Sequence, residues 1–182
     1  MSNARPPTEP APSSVAKPGT TRRWLRRAGE VAVVLVLLLG VRAWQQSGIA
    51  SGPAPALAGV MLDGQPVALS SFAGQPVLVH FWASWCPICR LEQDSIDALA
   101  RDAAVITVAM QSGDRDAVAQ HLRNEALGFP VLNDPDGAIA KLWGVRAVPA
   151  SFIVDGAGQI RYVEVGYTTG IGLRLRLWLA GL

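Results

Sequence analysis

The chain has 182 residues, half of them hydrophobic and 16% charged, with a formal net charge of +2. That length suits one ordinary domain with an appendage and excludes two full-sized domains. The apolar content excludes global disorder, and two cysteines exclude a disulfide scaffold. The charge is unevenly spread. Arg5, Lys17, Arg22, Arg23, Arg26 and Arg27 face only Glu9 and Glu30 in residues 1–30, a net +4, so residues 31–182 carry −2. The larger part is mildly acidic, which argues against a nucleic-acid partner.

Residues 1–23 begin with Pro6, Pro7, Pro10, Pro12 and Pro18 among small polar residues and read as a disordered tail, cytoplasmic by the orientation derived next. An apolar or glycine run follows from Val31 to Val41. It is short for a spanning helix, which needs about 20 residues. Snorkelling of Arg26, Arg27 and Arg42, with Trp24 and Trp44 at the interfaces, extends it to 24–44. A cleaved signal peptide competes, but the small-x-small site Ala56-Leu57-Ala58 lies far beyond the run. An uncleaved signal anchor is therefore expected. The positive flank places the N-terminus in the cytoplasm and the rest outside, in the periplasm of a Gram-negative cell.

Residues 45–56 are rich in Ser, Gly, Ala and Pro and read as a linker. The domain then runs 57–182. Val60–Leu62 and Pro66–Leu69 predict an N-terminal hairpin around Asp63-Gly64. Val77–Trp82 and Val105–Met110 predict strands buried on both faces. Between them Ile88, Leu91, Ile96 and Leu99 repeat at helical spacing. A helix is expected over Asp114–Leu127 and a short one over Ile139–Trp143. Ala150–Val154 and Ile160–Val165 flank Asp155-Gly156-Ala157-Gly158 as a second hairpin. The last helix is expected to bury Ile171, Leu175, Trp178 and Leu182. The class is α/β, with a mixed central sheet flanked by helices.

Chemistry centres on Trp85-Cys86-Pro87-Ile88-Cys89, between the first buried strand and the first long helix. Cysteines three apart on a helical turn can close a small disulfide ring. The first sits where free N–H groups and the helix dipole favour an anion, which makes Cys86 the nucleophilic thiolate. Cys89, further in, becomes the resolving thiol. Pro87 is harmless at the first helical position. An inert disulfide or half of a zinc site has the same spacing. The rest of a zinc site is missing, because His80 and His121 do not form a second ligand pair. No metal is expected.

Val79-His80-Phe81-Trp82-Ala83-Ser84-Trp85-Cys86-Pro87-Ile88-Cys89 resembles the active-site strand and loop of thioredoxin-fold oxidoreductases. With Phe72–Val77 and Gly144–Asp155, the pattern is similar to the membrane-anchored TlpA/ResA/DsbE-like family. Val105–Gly113 looks most like its suppressor-of-copper-sensitivity type, ScsD. The likeness covers 57–182. It implies a redox-active Cys86–Cys89 disulfide, with Cys86 attacking and Cys89 resolving. It also implies a cis-proline at Pro149, with the Val148 backbone and Trp85 meeting an extended substrate chain. No cofactor is implied. Extracytoplasmic thiol and disulfide proteins are the implied substrates, and a transmembrane thiol reductase the electron donor.

His80 departs from the pattern, since cytoplasmic thioredoxins carry a buried acid there. It is read either as a proton acceptor for the resolving thiol or as a core histidine with a polar partner. His121 and Arg90 read as solvated helix-surface residues. Trp82 and Trp85 are expected around the disulfide. The expected activity is disulfide reduction, in copper tolerance or cytochrome c maturation. Pro87-Ile88 contains no cation that would make the disulfide strongly oxidising. The alternatives are a disulfide-donating oxidase and a copper-delivery module.

Overall fold

The computed structural model describes Trp24, Arg27, residues 29–37, Gly40 and residues 48–182. The expected tail over 1–23 lies outside the described residues, as does much of the 24–44 segment. Residues 29–37 are helical, with Val31, Val33, Val34, Leu35, Val36 and Leu37 exposed. Among the described residues no helix is long and apolar enough to cross a membrane.

Eight short strands and five helices follow. In order they are β1 (Gly52–Pro53), β2 (Ala58–Val60), β3 (Pro66–Ala68), β4 (Val77–Trp82), α1 (Pro87–Arg90), α2 (Gln93–Ala100), β5 (Val105–Met110), α3 (Arg115–Asn124), β6 (Val131–Asp134), α4 (Ala138–Leu142), β7 (Ala150–Val154), β8 (Gln159–Val165) and α5 (Gly170–Ala180). A 3₁₀ turn covers Leu69–Phe72. Six strands form one sheet in the order β1-β8-β7-β4-β5-β6. β4, β5 and β6 run parallel, while β7 lies antiparallel to β4 and to β8. β2 and β3 form a separate antiparallel pair.

Every residue of β4, β5 and β7 is buried. Alternation along β4 then divides the core. Val77, Val79 and Phe81 join Trp143 and Phe152 on one face. Leu78 and Trp82 join Ile96, Leu99, Leu173 and Leu177 on the other. His80 shares that second face, because successive strand side chains alternate.

Three expectations need correction. The first long helix is broken at Leu91-Glu92 into α1 and α2. Ile88 and Leu91 are exposed there rather than forming part of an apolar stripe. α5 buries Leu173 and Leu177, while Ile171, Leu175, Trp178 and Leu182 stay exposed. Its sequence is apolar on every side except for Arg174 and Arg176, so spacing alone cannot choose its inner face. The segment read as a linker is packed onto the sheet from Gly48 onward. Ala50 N–H donates to the Trp143 carbonyl, Gly52 pairs with Ile160, and Ala54 N–H donates to the Gly158 carbonyl. A two-residue edge strand is too short to leave a period-2 signal.

Candidate active site

The site lies at the C-terminal end of β4, in the middle of the sheet. Cys86 and Cys89 are joined as a disulfide. Cys86 is the N-cap of α1, and its sulfur accepts the Cys89 N–H at 3.2 Å. A sulfur thus takes the place usually filled by a serine or aspartate oxygen. Both cysteines are enclosed, Cys86 at 4% exposure and Cys89 at 0%. Cys86 is the less enclosed residue of the pair, which suits the attacking role expected of it.

Cys86 Sγ also lies 3.6 Å from the Val148 carbonyl oxygen. The peptide bond between Val148 and Pro149 is cis. The fold so brings together Cys86, Cys89, Val148 and Pro149, which lie 62 residues apart between Cys86 and Val148. Trp85 is 57% exposed, and its indole N–H donates to the Gln111 carbonyl at 3.0 Å. Gln111 has φ 48°, an uncommon left-handed backbone for a residue with a side chain. Ser84, just before Trp85, donates its N–H to Ser112 Oγ. Ile88 and Leu91, on α1 and just after it, are exposed as well.

His80 is 1% exposed, and both ring nitrogens have polar neighbours. Nδ1 lies 2.9 Å from Ser151 Oγ, and Nε2 lies 3.6 Å from Glu92 Oε1. Burial pushes the imidazole pKa down from 6.5 to about 3, so it is neutral at pH 7. Glu92 is a site residue that sequence reasoning missed. It is 1% exposed, and its Oε2 accepts the Thr168 N–H at 2.9 Å. Oε1 has no hydrogen-bond partner. Burial raises the Glu92 carboxyl from 4.5 to about 7, against the opposing pull of the Thr168 N–H. Its N–H donates to the Cys89 carbonyl, so the acid follows the inner cysteine by one turn. The signal was there to use: an acid three residues past the second cysteine, at the point where the helix breaks.

Trp82 is fully buried, with its indole N–H on Thr107 Oγ1. His121, expected at the surface, is partly buried against the Trp82 ring, 5.4 Å between centroids. Its Nε2 lies 3.3 Å from Gln93 Nε2. Its pKa is lowered by burial first, with Arg90 adding to this and Glu125 opposing. Arg90 is exposed and donates to the Ser84 carbonyl at 3.4 Å. Among the described residues, no group of three His, Cys, Asp or Glu side chains is placed to hold a metal ion.

A profile of the Redoxin family matches residues 49–171. The chain belongs to that family. It is 33% identical over 146 residues to the thiol:disulfide interchange protein DsbE of Xylella fastidiosa, covering 75% of this chain and 73% of the relative. It is 28% identical over 153 residues to sporulation thiol-disulfide oxidoreductase A of Bacillus subtilis, covering 78% and 92%. Among solved structures, a putative thiol:disulfide interchange protein DsbE from Chlorobium tepidum superposes with a TM-score of 0.66 at 26% identity, over 74% of this chain and all of that one. The matched segment begins at residue 49, one residue after the start of the packed N-terminal segment. With the fold, the disulfide and these relatives, the chain is a thiol–disulfide oxidoreductase with a thioredoxin-like fold.

Proposed function

We propose that the chain is a membrane-tethered, extracytoplasmic reductase of protein disulfides, of the ScsD type. The observation that supports the exchange chemistry is the position of Cys86 Sγ, held by the Cys89 N–H and facing the Val148 carbonyl, while the tether and the ScsD type are inferred from the sequence pattern. In the reduced protein that N–H stabilises a Cys86 thiolate. The thiolate attacks one sulfur of a substrate disulfide, and the displaced substrate thiolate leaves. Cys89 then gives up its proton and attacks Cys86 Sγ. The second substrate thiolate leaves, and the Cys86–Cys89 disulfide remains. Two electrons pass to the substrate, and an external dithiol, here a transmembrane thiol reductase, restores the protein.

In this scheme the Cys89 proton passes to the Glu92 carboxylate. An imidazole with a pKa of about 3 is too weak a base to take it near pH 7, whereas a carboxyl at about 7 is matched to the task. His80 acts through Glu92. Trp85 and the backbone of Val148 and Pro149 receive an extended substrate segment. Residues 1–23 are assigned to a cytoplasmic tail and 24–44 to the anchor. Apocytochrome c and proteins oxidised under copper stress fit as substrates.

Trapping tests the scheme. Cys89→Ser should accumulate mixed disulfides on Cys86 with extracytoplasmic proteins, and Cys86→Ser should abolish both trapping and turnover. Recovery of no covalent partner would overturn it. Because Pro87-Ile88 carries no cation, the redox potential should lie below about −180 mV. A value near −120 mV, that of a strong oxidant, would favour disulfide donation instead. Fractionation tests the tether: material beginning at Gly59 in the periplasmic fraction would rule it out.

A further inference from the structure

The buried face of the sheet carries a polar row. His80 of β4 is in register with Thr107 on one side and Ser151 on the other, and Ser151 is in register with Glu164 of β8. Thr107 is committed elsewhere, accepting from Trp82 and donating to the Pro130 carbonyl. Glu164 is ion-paired with Arg176. Ser151 is buried and lies against His80 Nδ1 at 2.9 Å.

A neutral imidazole has one donor nitrogen and one acceptor, and its two tautomers exchange them. A serine hydroxyl both donates and accepts. When Ser151 donates to Nδ1, the ring proton is on Nε2 and points at Glu92 Oε1, which suits a carboxylate. When Nδ1–H donates to Ser151, Nε2 offers a lone pair, which suits a protonated Glu92. At 3.6 Å the Nε2–Oε1 pair lies just beyond hydrogen-bond range, so either state closes it with the same small side-chain shift.

We propose that Ser151 is a positioning residue of the redox site: its hydroxyl lets His80 carry the ring proton on either nitrogen, so that His80 serves Glu92 both when ionised and when protonated. The proposal rests on the reading of the Cys86–Cys89 pair as the redox centre, and it assigns a role to a residue that never meets substrate. Other ionisable groups on this side of the sheet are Cys86, Cys89, Tyr162 of β8, Glu164 with Arg176, Asp97 with Arg101, and His121 of α3. The two cysteines do not titrate while they are joined, so the oxidised protein isolates the Glu92 titration.

The test uses the full chain, oxidised and labelled with ¹³C at glutamate carboxyls, with Glu92 assigned by comparison with Glu92→Gln. Ser151→Ala removes the hydroxyl. A buried ring N–H facing a methyl group is costly, so the ring proton stays on Nε2 and stabilises the carboxylate. The Glu92 midpoint should fall by about one pH unit or more. His80→Leu removes the donor and should move it upward. Ser151→Thr and Ser151→Val have nearly equal shape and differ in the hydroxyl, so Thr should stay near the wild-type midpoint while Val falls. That pair decides the matter should Ser151→Ala not fold. An unmoved or raised midpoint in Ala or Val, or equal midpoints in Val and Thr, overturns the proposal. Absence of disulfide reduction by the wild-type chain, with the titration behaving as stated, would count against the reductase reading and not against the role of Ser151.

Discussion

His80 and Glu92 leave water together on folding, and their pKa values move in opposite directions. Glu92, raised from 4.5 to about 7, stays protonated in the native state where the unfolded chain has ionised. Its contribution to stability is complete below 4.5 and is lost as pH rises through 7. His80, lowered from 6.5 to about 3, contributes fully above 6.5 and loses that contribution as pH falls through 3. Between 4.5 and 6.5 the two slopes, each about 1.4 kcal/mol per pH unit, cancel. Urea unfolding across this range should therefore show a flat contribution from the pair. His80→Leu should uncover a stability that falls as pH rises, and Glu92→Gln one that rises with pH. Parallel pH profiles in the two variants would contradict this account. Sequence reading found His80 because a histidine inside an apolar strand is conspicuous. It missed Glu92 because an acid in a helix looks solvated until the sheet beneath it is known.

At the scale of elements, the redox motif was legible because its chemistry is local: two cysteines, a proline at the first helical position and the preceding strand lie within a dozen residues. β4, β5 and β7 were legible for a similar reason, as unbroken apolar runs that only a doubly covered sheet can accommodate. α5 was not. Its Leu173 and Leu177 stripe and its Ile171, Leu175 and Trp178 stripe are equally apolar, and only contact with Ile96 and Leu99 decides between them. Leu173→Ala should cost about 2–5 kcal/mol, as for a buried leucine. Ile171→Ser should stay within about 0.5 kcal/mol, as for a surface change. Thermal or denaturant unfolding of the two variants checks the assignment, and the reverse order would contradict it.

On the scale of the whole domain, β4 holds an interior place in the sheet order β1-β8-β7-β4-β5-β6. The N-terminal segment occupies the edge at β1. Its path depends on Gly144, which has φ 68° and whose added Cβ would collide with the Gly48 carbonyl. Gly144→Ala should displace the segment and cost about 1–3 kcal/mol, with new protease cleavage near Gly48–Gly52. An unchanged cleavage pattern would show that the segment tolerates the methyl group.

This arrangement also bears on mechanical load. Tension entering through the residues before Gly48 meets the Ala50–Trp143 hydrogen bond, then the Gly52–Ile160 pair, then the Ala54–Gly158 bond. β8 and β7 lie between the β1 pairing and β4, the strand that leads to Cys86, whereas Trp143 packs on Phe81 of β4 itself. Ile49, Ala50 and Ala54 pack against the core face opposite the two sulfurs, so release of this edge should leave the sulfurs' surroundings in place, as a sacrificial fastening would. Pulled between residue 48 and the C-terminus, the oxidised domain should give a short extension at low force before the main sheet ruptures, and cycling through that first step should leave its reactivity toward dithiols intact.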